Sequence, residues 1–286
     1  MTKNADSKIS NNVDRKVVDG FGDEWARFDQ SELEDRELQE AFDGYFRIFP
    51  WEKLTSAAEG FDMGCGSGRW AKLVAPRVGK LNCVDPSEQA LSVAKKNLEN
   101  FGNCSFFCSA VDRTNLLPSS QDFGYCLGVL HHVPDTLGGM KCCVKALKPG
   151  APFLIYLYYA FDNRPGWFRS IWKVSDFIRR VISQLPYKSR YAVSQLLAAL
   201  IYWPLARTSK AAESIGIEVS SFPLSYYRRR SFYTMRTDAL DRFGTRLEKR
   251  FSKDQISKMM SDAGLERISF SDTAPFWCAI GYREAR

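Results

Sequence analysis

Apolar positions along this chain follow two different periods, and the changes between them mark out its elements. Between residues 60 and 158, short apolar runs bounded by glycine, proline or polar residues alternate with stretches whose apolar side chains recur every three to four positions. The runs predict strands over 60–63, 80–84, 105–109, 122–128 and 152–158, and the periodic stretches predict helices over 69–78, 87–100 and 136–147. Such alternation implies a parallel sheet covered by helices on both faces, with any ligand bound beyond the C-terminal ends of the strands. Upstream, residues 17–55 repeat apolar side chains at helical spacing, and Phe42, Tyr45, Phe46 and Ile48 form a face suited to the core or to the wall of a cleft. Downstream, a helix over 253–263 stops at Gly264 and is followed by strands over 267–270 and 277–282.

The alternation lapses between residues 160 and 250, where the chain is aromatic, arginine-rich and largely helical in pattern. Residues 167–182 set Phe168, Ile171, Trp172, Phe177, Ile178 and Val181 among charges at helical spacing. Residues 191–206 run for 16 positions without a charge, between Arg190 and Arg207. That is shorter than the ~18–20 apolar residues a membrane span needs, and the run contains Gln195 and Pro204. It reads either as a buried helix or as a surface that meets a membrane or a lipid. Residues 1–16 have almost no apolar periodicity and are expected to form a disordered tail. The expected organisation is therefore a tail (1–16), helices and a ligand-binding core (17–159), an inserted cap (160–250), and a last helix with closing strands (251–286).

A chain of 286 residues with 45% hydrophobic content is long enough for one α/β domain with a sizeable insertion and is too apolar for wholesale disorder. Its opening residues lack the apolar core of a secretory signal. Eight cysteines fall mostly inside the predicted strands and one helix, without a C-x-x-C pair, and both histidines are neighbours. These features predict small buried thiols, no metal and a reducing, cytoplasmic setting. Charge changes the picture more. The net +7 is concentrated in residues 160–250, which hold 17 Lys+Arg against 7 Asp+Glu, while residues 1–159 hold 18 against 21. A local basic surface suits an anionic substrate, a lipid headgroup or nucleic acid.

The sharpest chemical signal is GFDMGCGSGRW at 60–70, an apolar run ending in Asp62 followed by Gly64, Gly66 and Gly68 at alternate positions. Glycines there permit positive φ and close approach of backbone N–H groups to a ligand. A second strand, LNCVD at 81–85, ends in a carboxylate about 20 residues beyond the loop, where a ribose diol would be held. A dinucleotide fingerprint would need its third glycine at 69, where Arg69 stands; an acid ahead of the loop instead suits a ligand with an ammonium and no phosphate. With DFGYCLGVLHHVPD and LKPGAPFLIYLYY following in order, residues 60–159 resemble the class I S-adenosylmethionine-dependent methyltransferases, whose signature loop is DxGCGxG.

The resemblance implies a Rossmann-like, doubly wound, seven-stranded and mostly parallel sheet, a C-terminal antiparallel hairpin, a helical cap after strand 5, and S-adenosylmethionine as cofactor. It places Gly64, Cys65, Gly66 and Gly68 around the amino acid end of the donor, Asp62 near its ammonium, and Asp85 with Pro86 at the ribose. Leu127 and Gly128 would close the cleft from the fourth strand, and Val111 and Asp112 would meet the adenine, although SAVDRTNLLP departs from the family's GDA pattern there. Methyl transfer needs an in-line geometry and, for most acceptors, a base. His131 and His132 are candidates, with Tyr159 and Asp162 as further groups for orienting the acceptor; the alternative for the histidines is a loop-building role. Arg228, Arg229, Tyr233 and Arg236 are candidates for an anionic acceptor, against the alternative of a solvated face. No RNA-binding signature accompanies them, so a small-molecule, anionic or amphipathic, lipid-linked acceptor is favoured over nucleic acid. The competing functions are a donor-binding regulator without turnover and an RNA-directed methyltransferase.

Overall fold

The computed structural model describes residues 12–285. A helix, α1 (Arg15–Arg27), and a second, α2 (Asp35–Tyr45), lead into the sheet. There β1 (Glu59–Met63), α3 (Ala71–Val74), β2 (Lys80–Asp85), α4 (Glu88–Asn97), β3 (Cys104–Cys108), β4 (Phe123–Leu127), α5 (Thr136–Ala146) and β5 (Pro152–Tyr156) follow in turn. The chain then forms α6 (Gly166–Ile182), α7 (Tyr187–Leu197), α8 (Trp203–Ser214) and α9 (Phe232–Gly244), and returns through α10 (Lys253–Asp262), β6 (Leu265–Phe270) and β7 (Cys278–Arg283). The strand order is β3-β2-β1-β4-β5-β7-β6. The first five strands are parallel, and β7 runs antiparallel to both β5 and β6. This is the doubly wound sheet and closing hairpin that the resemblance implies.

Each face of the sheet buries its own core. Phe42, Phe46, Leu81, Leu91 and Tyr125 lie on one side, and Phe61, Met140, Phe153, Ile256 and Met260 on the other. Helix starts are fixed by side-chain acceptors: Asp14 for α1, Ser87 for α4, Asp135 for α5, and a Ser252/Gln255 capping box for α10. Where the order of strands reverses, between β1 and β4, their C-terminal ends open a crevice that holds the functional site.

Three local expectations are adjusted. The helix over 69–78 shortens to α3 followed by a single 3-10 turn at Ala75–Arg77, because Pro76 has no N–H for a continuing α-helix. The fifth strand stops at Tyr156 rather than 158. Of the expected tail, residues 1–11 lie outside the described residues, but the boundary at 16 moves, because Asn12 is buried on the core. Its N–H donates to Asp112 Oδ2 at 3.0 Å, its Nδ2 donates to the Asp135 carbonyl at 2.7 Å, and its Oδ1 accepts from Asp135 N–H at 2.7 Å.

The insertion packs around α9. Ile182, Ala198, Tyr202, Ala206, Met235, Ala239 and Phe243 form a separate small core, and Phe28 with Tyr233 and Leu240 joins it to the N-terminal helices. The uncharged run divides by face: Ala198, Tyr202 and Ala206 are buried, while Leu196, Leu200, Ile201, Trp203 and Leu205 are exposed. Of the cysteines, Cys65, Cys83, Cys126, Cys143 and Cys278 are buried, and Cys108 is exposed.

In the centre of the sheet Gly60 is paired with Phe123 and Phe61 with Gly124, so each phenyl ring lies across the glycine of the neighbouring strand. A Cβ on Gly124 would come within 2.2 Å of the Phe61 ring, and one on Gly60 within 2.3 Å of Phe123. Gly124→Ala is therefore expected to destabilise the protein by about 1–3 kcal/mol through overpacking, read as a lower urea midpoint at unchanged slope.

Candidate functional site

The loop after β1 is folded back onto β2. Gly64 N–H and Cys65 N–H both donate to the Val84 carbonyl, at 2.7 and 3.0 Å, and Gly64, Gly66 and Gly68 all take positive φ. A side chain is excluded by space as well as by torsion: a Cβ on Gly64 would meet Val129 at 2.4 Å, and one on Gly66 would meet Trp25 at 2.8 Å. Asp85, at the end of β2, accepts from Gly66 N–H through Oδ2 and from Ser87 N–H through Oδ1, each at 2.9 Å. Its burial pushes its pKa up to about 6, with the two backbone N–H groups pulling the other way.

A cleft of about 940 Å³, part of it open to solvent, runs along these strand ends. Of the residues named from sequence for the donor, Gly64, Cys65, Gly66, Asp85, Pro86, Val111, Leu127 and Gly128 line it. Asp62, Gly68 and Asp112 do not. Asp62 lies just behind the loop, buried, with Oδ2 lacking a hydrogen-bond partner among the described residues. Burial pushes its pKa up to about 8. Gly68 faces α4, where its Cβ would meet Leu98 and Ala94, and Asp112 accepts from Asn12 N–H. The Asp85 carboxylate beside the trough and the glycines that admit close approach fit the expected donor, whereas Asp62 stands behind the loop and out of the cleft.

The two histidines separate. His131 is fully buried, stacks on Tyr158 at 3.9 Å between ring centroids, and has neither ring nitrogen partnered among the described residues. Burial holds its pKa well below the usual imidazole range. His132 lines the cleft. Its Nδ1 lies 2.6 Å from the Leu247 carbonyl, which can only accept, so Nδ1 carries the proton of the neutral ring and Nε2 presents its lone pair. Nε2 is 3.9 Å from Asp241 Oδ1, and the Tyr158 hydroxyl donates to Asp241 Oδ2.

The structure does not bring the remaining named residues into the cleft. Asp162 accepts from Lys253 N–H and Trp277 Nε1, both at 2.9 Å, fastening the start of α10 to β7. Tyr159 packs on Phe161 and Phe276. Arg228 and Arg229 pair with Glu213 at 3.0 and 3.1 Å. Arg236 donates to Gln195 Oε1 and Tyr191 Oη, and the Tyr233 hydroxyl accepts from Gln30 N–H. Each is engaged in the cap or in its seam with the N-terminal helices.

Sequence reasoning missed the cleft's near wall, which is α1. Val17, Val18, Phe21 and Trp25 line it, with Phe21 5.0 Å from the His132 ring. It also missed Arg69, which lines the cleft against Trp70 at 4.3 Å. Asp238 and Asp241 of α9 stand close behind. Burial pushes Asp238 up to about 6, and its Oδ2 accepts from the Tyr227 hydroxyl at 2.8 Å. Glu24 of α1 is buried, and its pKa is raised by burial and by the charges of Asp241 and Asp238, with Arg69 pulling the other way.

Comparison with known proteins agrees with this geometry. A family described as "Methyltransferase domain" matches residues 61–155. Those residues are a class I methyltransferase domain. S-adenosylmethionine is the methyl donor of that class. A ubiquinone biosynthesis O-methyltransferase from Idiomarina loihiensis is 40% identical over 91 residues, 31% of this chain and 37% of that protein. One from Pseudomonas syringae is 28% identical over 175 residues, 54% of this chain and 73% of that protein. The chain spans only about two fifths of the first curated relatives it matches, 37–44% of their length. Among solved structures, an O-methyltransferase family protein from Burkholderia thailandensis has a TM-score of 0.53 at 15% identity, covering 95% of this chain and 61% of that one. A Haloferax volcanii chain solved in complex with the Trm112 methyltransferase activator also has a TM-score of 0.53, at 16% identity, covering 94% and 98%. At such identities these two show a shared fold.

Asp62 and Asp85 give the methyltransferase domain a pH signature. Both folded-state values lie above the ordinary carboxylate range, so between about pH 4 and 8 the folded protein holds protons that the unfolded chain has released. Unfolding free energy is expected to fall as pH rises across that window, and Asp62→Asn to flatten the part between about pH 6 and 8. Urea unfolding of the two proteins at pH 5, 7 and 8.5 measures both slopes.

Proposed function

We propose that this protein transfers a methyl group from S-adenosylmethionine to a hydroxyl of a small, amphipathic acceptor held between the cleft and the cap. The observation that carries the reading is His132: a buried imidazole on the cleft wall whose tautomer is fixed by the Leu247 carbonyl and whose free nitrogen stands 3.9 Å from Asp241. The donor supplies an activated methyl on a sulfonium. Gly64, Cys65 and Gly66 would hold its amino acid end and Asp85 would accept from its ribose hydroxyls, with Asp62 supporting the loop from behind.

Transfer would form the bond from acceptor oxygen to methyl and break that from methyl to sulfur, leaving S-adenosylhomocysteine, and the proton lost by the acceptor hydroxyl would pass to His132 Nε2. Asp241 then faces the imidazolium and stabilises it, while the Tyr158 hydroxyl keeps the carboxylate in place. Phe21, Trp25 and Val17 exclude water from this corner. The Idiomarina relative, named as an O-methyltransferase, supports a hydroxyl acceptor. An anionic acceptor has less support from the cap, since Arg228, Arg229 and Arg236 are committed within it, and the charged side chain facing His132 Nε2 is the Asp241 carboxylate.

Incubation of the purified protein with methyl-labelled S-adenosylmethionine and fractionated cell extract tests the proposal. A labelled small molecule or lipid-soluble product is expected; tight donor binding without product would favour the regulator. Once an acceptor is in hand, His132→Ala is expected to lower kcat by roughly 10²–10⁴ while leaving affinity for S-adenosylhomocysteine unchanged by calorimetry. Equal losses in both would reassign the residue to loop structure.

A further inference from the structure

The helix α6 leaves an apolar stripe in the open. Trp167, Ile171, Val174, Ile178 and Val181 recur at intervals of four, three, four and three residues, which places them on one stripe of the helix. All of them are exposed, as is Phe177 beside the stripe, which is 70% exposed. The face turned to the protein is mixed: Ile182 is buried and Phe168 and Trp172 pack on Phe161, but two charged side chains lie there too, Asp176 and Arg179, which are 6% and 4% exposed and pair at 2.8 Å, with Arg179 also donating to the Thr245 carbonyl at 2.9 Å. A helix of a water-surrounded domain puts its apolar stripe inward. This arrangement buries a charged pair with a few apolar side chains in the cap and leaves the longer apolar stripe for something else. The outer face of the α7–α8 rod continues the theme, with Leu196, Leu200, Ile201 and Trp203 exposed.

Charge selects the occupant. Between residues 163 and 212 the chain holds nine Lys and Arg and a single acid, Asp176, which is buried and paired with Arg179 and Arg180. The charged side chains exposed on α6 are Arg169, Lys173 and Arg180, all cationic. Tryptophan at 167 and 203 supplies rings suited to the boundary between water and hydrocarbon. A convex apolar ridge fringed only by cations matches a negatively charged bilayer, where apolar side chains enter the acyl boundary and lysine and arginine meet phosphate. No helix among the described residues is long and apolar enough to cross a membrane, so the contact is with the surface.

We propose that α6 is a peripheral membrane anchor, docking the cap onto an anionic phospholipid surface through the ridge from Trp167 to Val181. The inference stands apart from methyl transfer, and its test reads lipid binding alone.

The intact chain is sedimented with phosphatidylcholine vesicles prepared with and without phosphatidylglycerol. Binding is expected only to the anionic vesicles and is expected to weaken as salt is raised. The double variant Val174→Asp with Phe177→Asp should bind roughly tenfold or more weakly, and Arg169→Glu with Lys173→Glu should lose the preference for phosphatidylglycerol. Both sites are exposed, and unchanged affinity for S-adenosylhomocysteine will show that the variants are folded. Vesicle binding unaffected by the apolar variant would overturn the proposal, as would no binding to either vesicle. A concentration-dependent dimer abolished by the same variant would assign the ridge to a second copy of this chain instead.

Discussion

The Asp85 carboxylate is the joint on which the site turns. One oxygen holds the glycine loop by Gly66 N–H and the other holds the approach to α4 by Ser87 N–H, so a single buried charge sets the loop, the end of β2 and the start of the next helix relative to one another. Without it, two backbone donors would be left without their acceptor beside a trough. The same burial raises the group's pKa, so the free protein bears an electrostatic cost at the point where a diol would add acceptable hydrogen bonds. Asp62, one strand over, repeats this logic with an oxygen that has no partner. The loop's glycines follow from the arrangement: with Val129 and Trp25 pressed against them, no side chain fits.

What could be read from the residues was whatever is encoded locally. Strand and helix periods, the alternate glycines, the terminal acid of β2 and the antiparallel close each depend on neighbours within about 25 positions, and the sheet follows from them. The missed features are distant in sequence. Phe21 and Trp25 meet the loop only because α1 lies across it, and Asn12 is fixed by Asp112 and Asp135, more than a hundred residues away. The arginines around 228 formed an obvious cluster, but their partners, Glu213 and Gln195, are ordinary residues on other helices that no local pattern marks. His131 and His132 are adjacent in the chain and differ in role because the 3-10 turn at Leu130–His132 points them into different surroundings.

The cap has two kinds of surface with different demands. Its inner layer is built on α9, which supplies Met235, Ala239 and Phe243 to the small core and Asp238 and Asp241 to the neighbourhood of the cleft. Its outer layer leaves apolar side chains uncovered on α6 and on the α7–α8 rod. Helical periodicity alone does not distinguish the two, since an amphipathic pattern says that a face is apolar and not which way it points. The buried Asp176–Arg179 pair fixes the direction, because with those charges committed to Thr245 and the cap interior the hydrophobic stripe has to face out.

Both ends of the insertion meet at one place. Ala160 N–H donates to the Phe251 carbonyl, Phe251 N–H donates to the Tyr158 carbonyl, and Tyr159 and Phe251 form a parallel bridge. About ninety residues thus depart and come back through a doorway one residue pair wide. The insertion also reaches back to the core beyond that doorway, through Leu247 at His132, Asp241 at Tyr158 and Tyr233 at Phe28. A different cap spliced at that doorway would have to bring its own partners for the histidine turn and for α1.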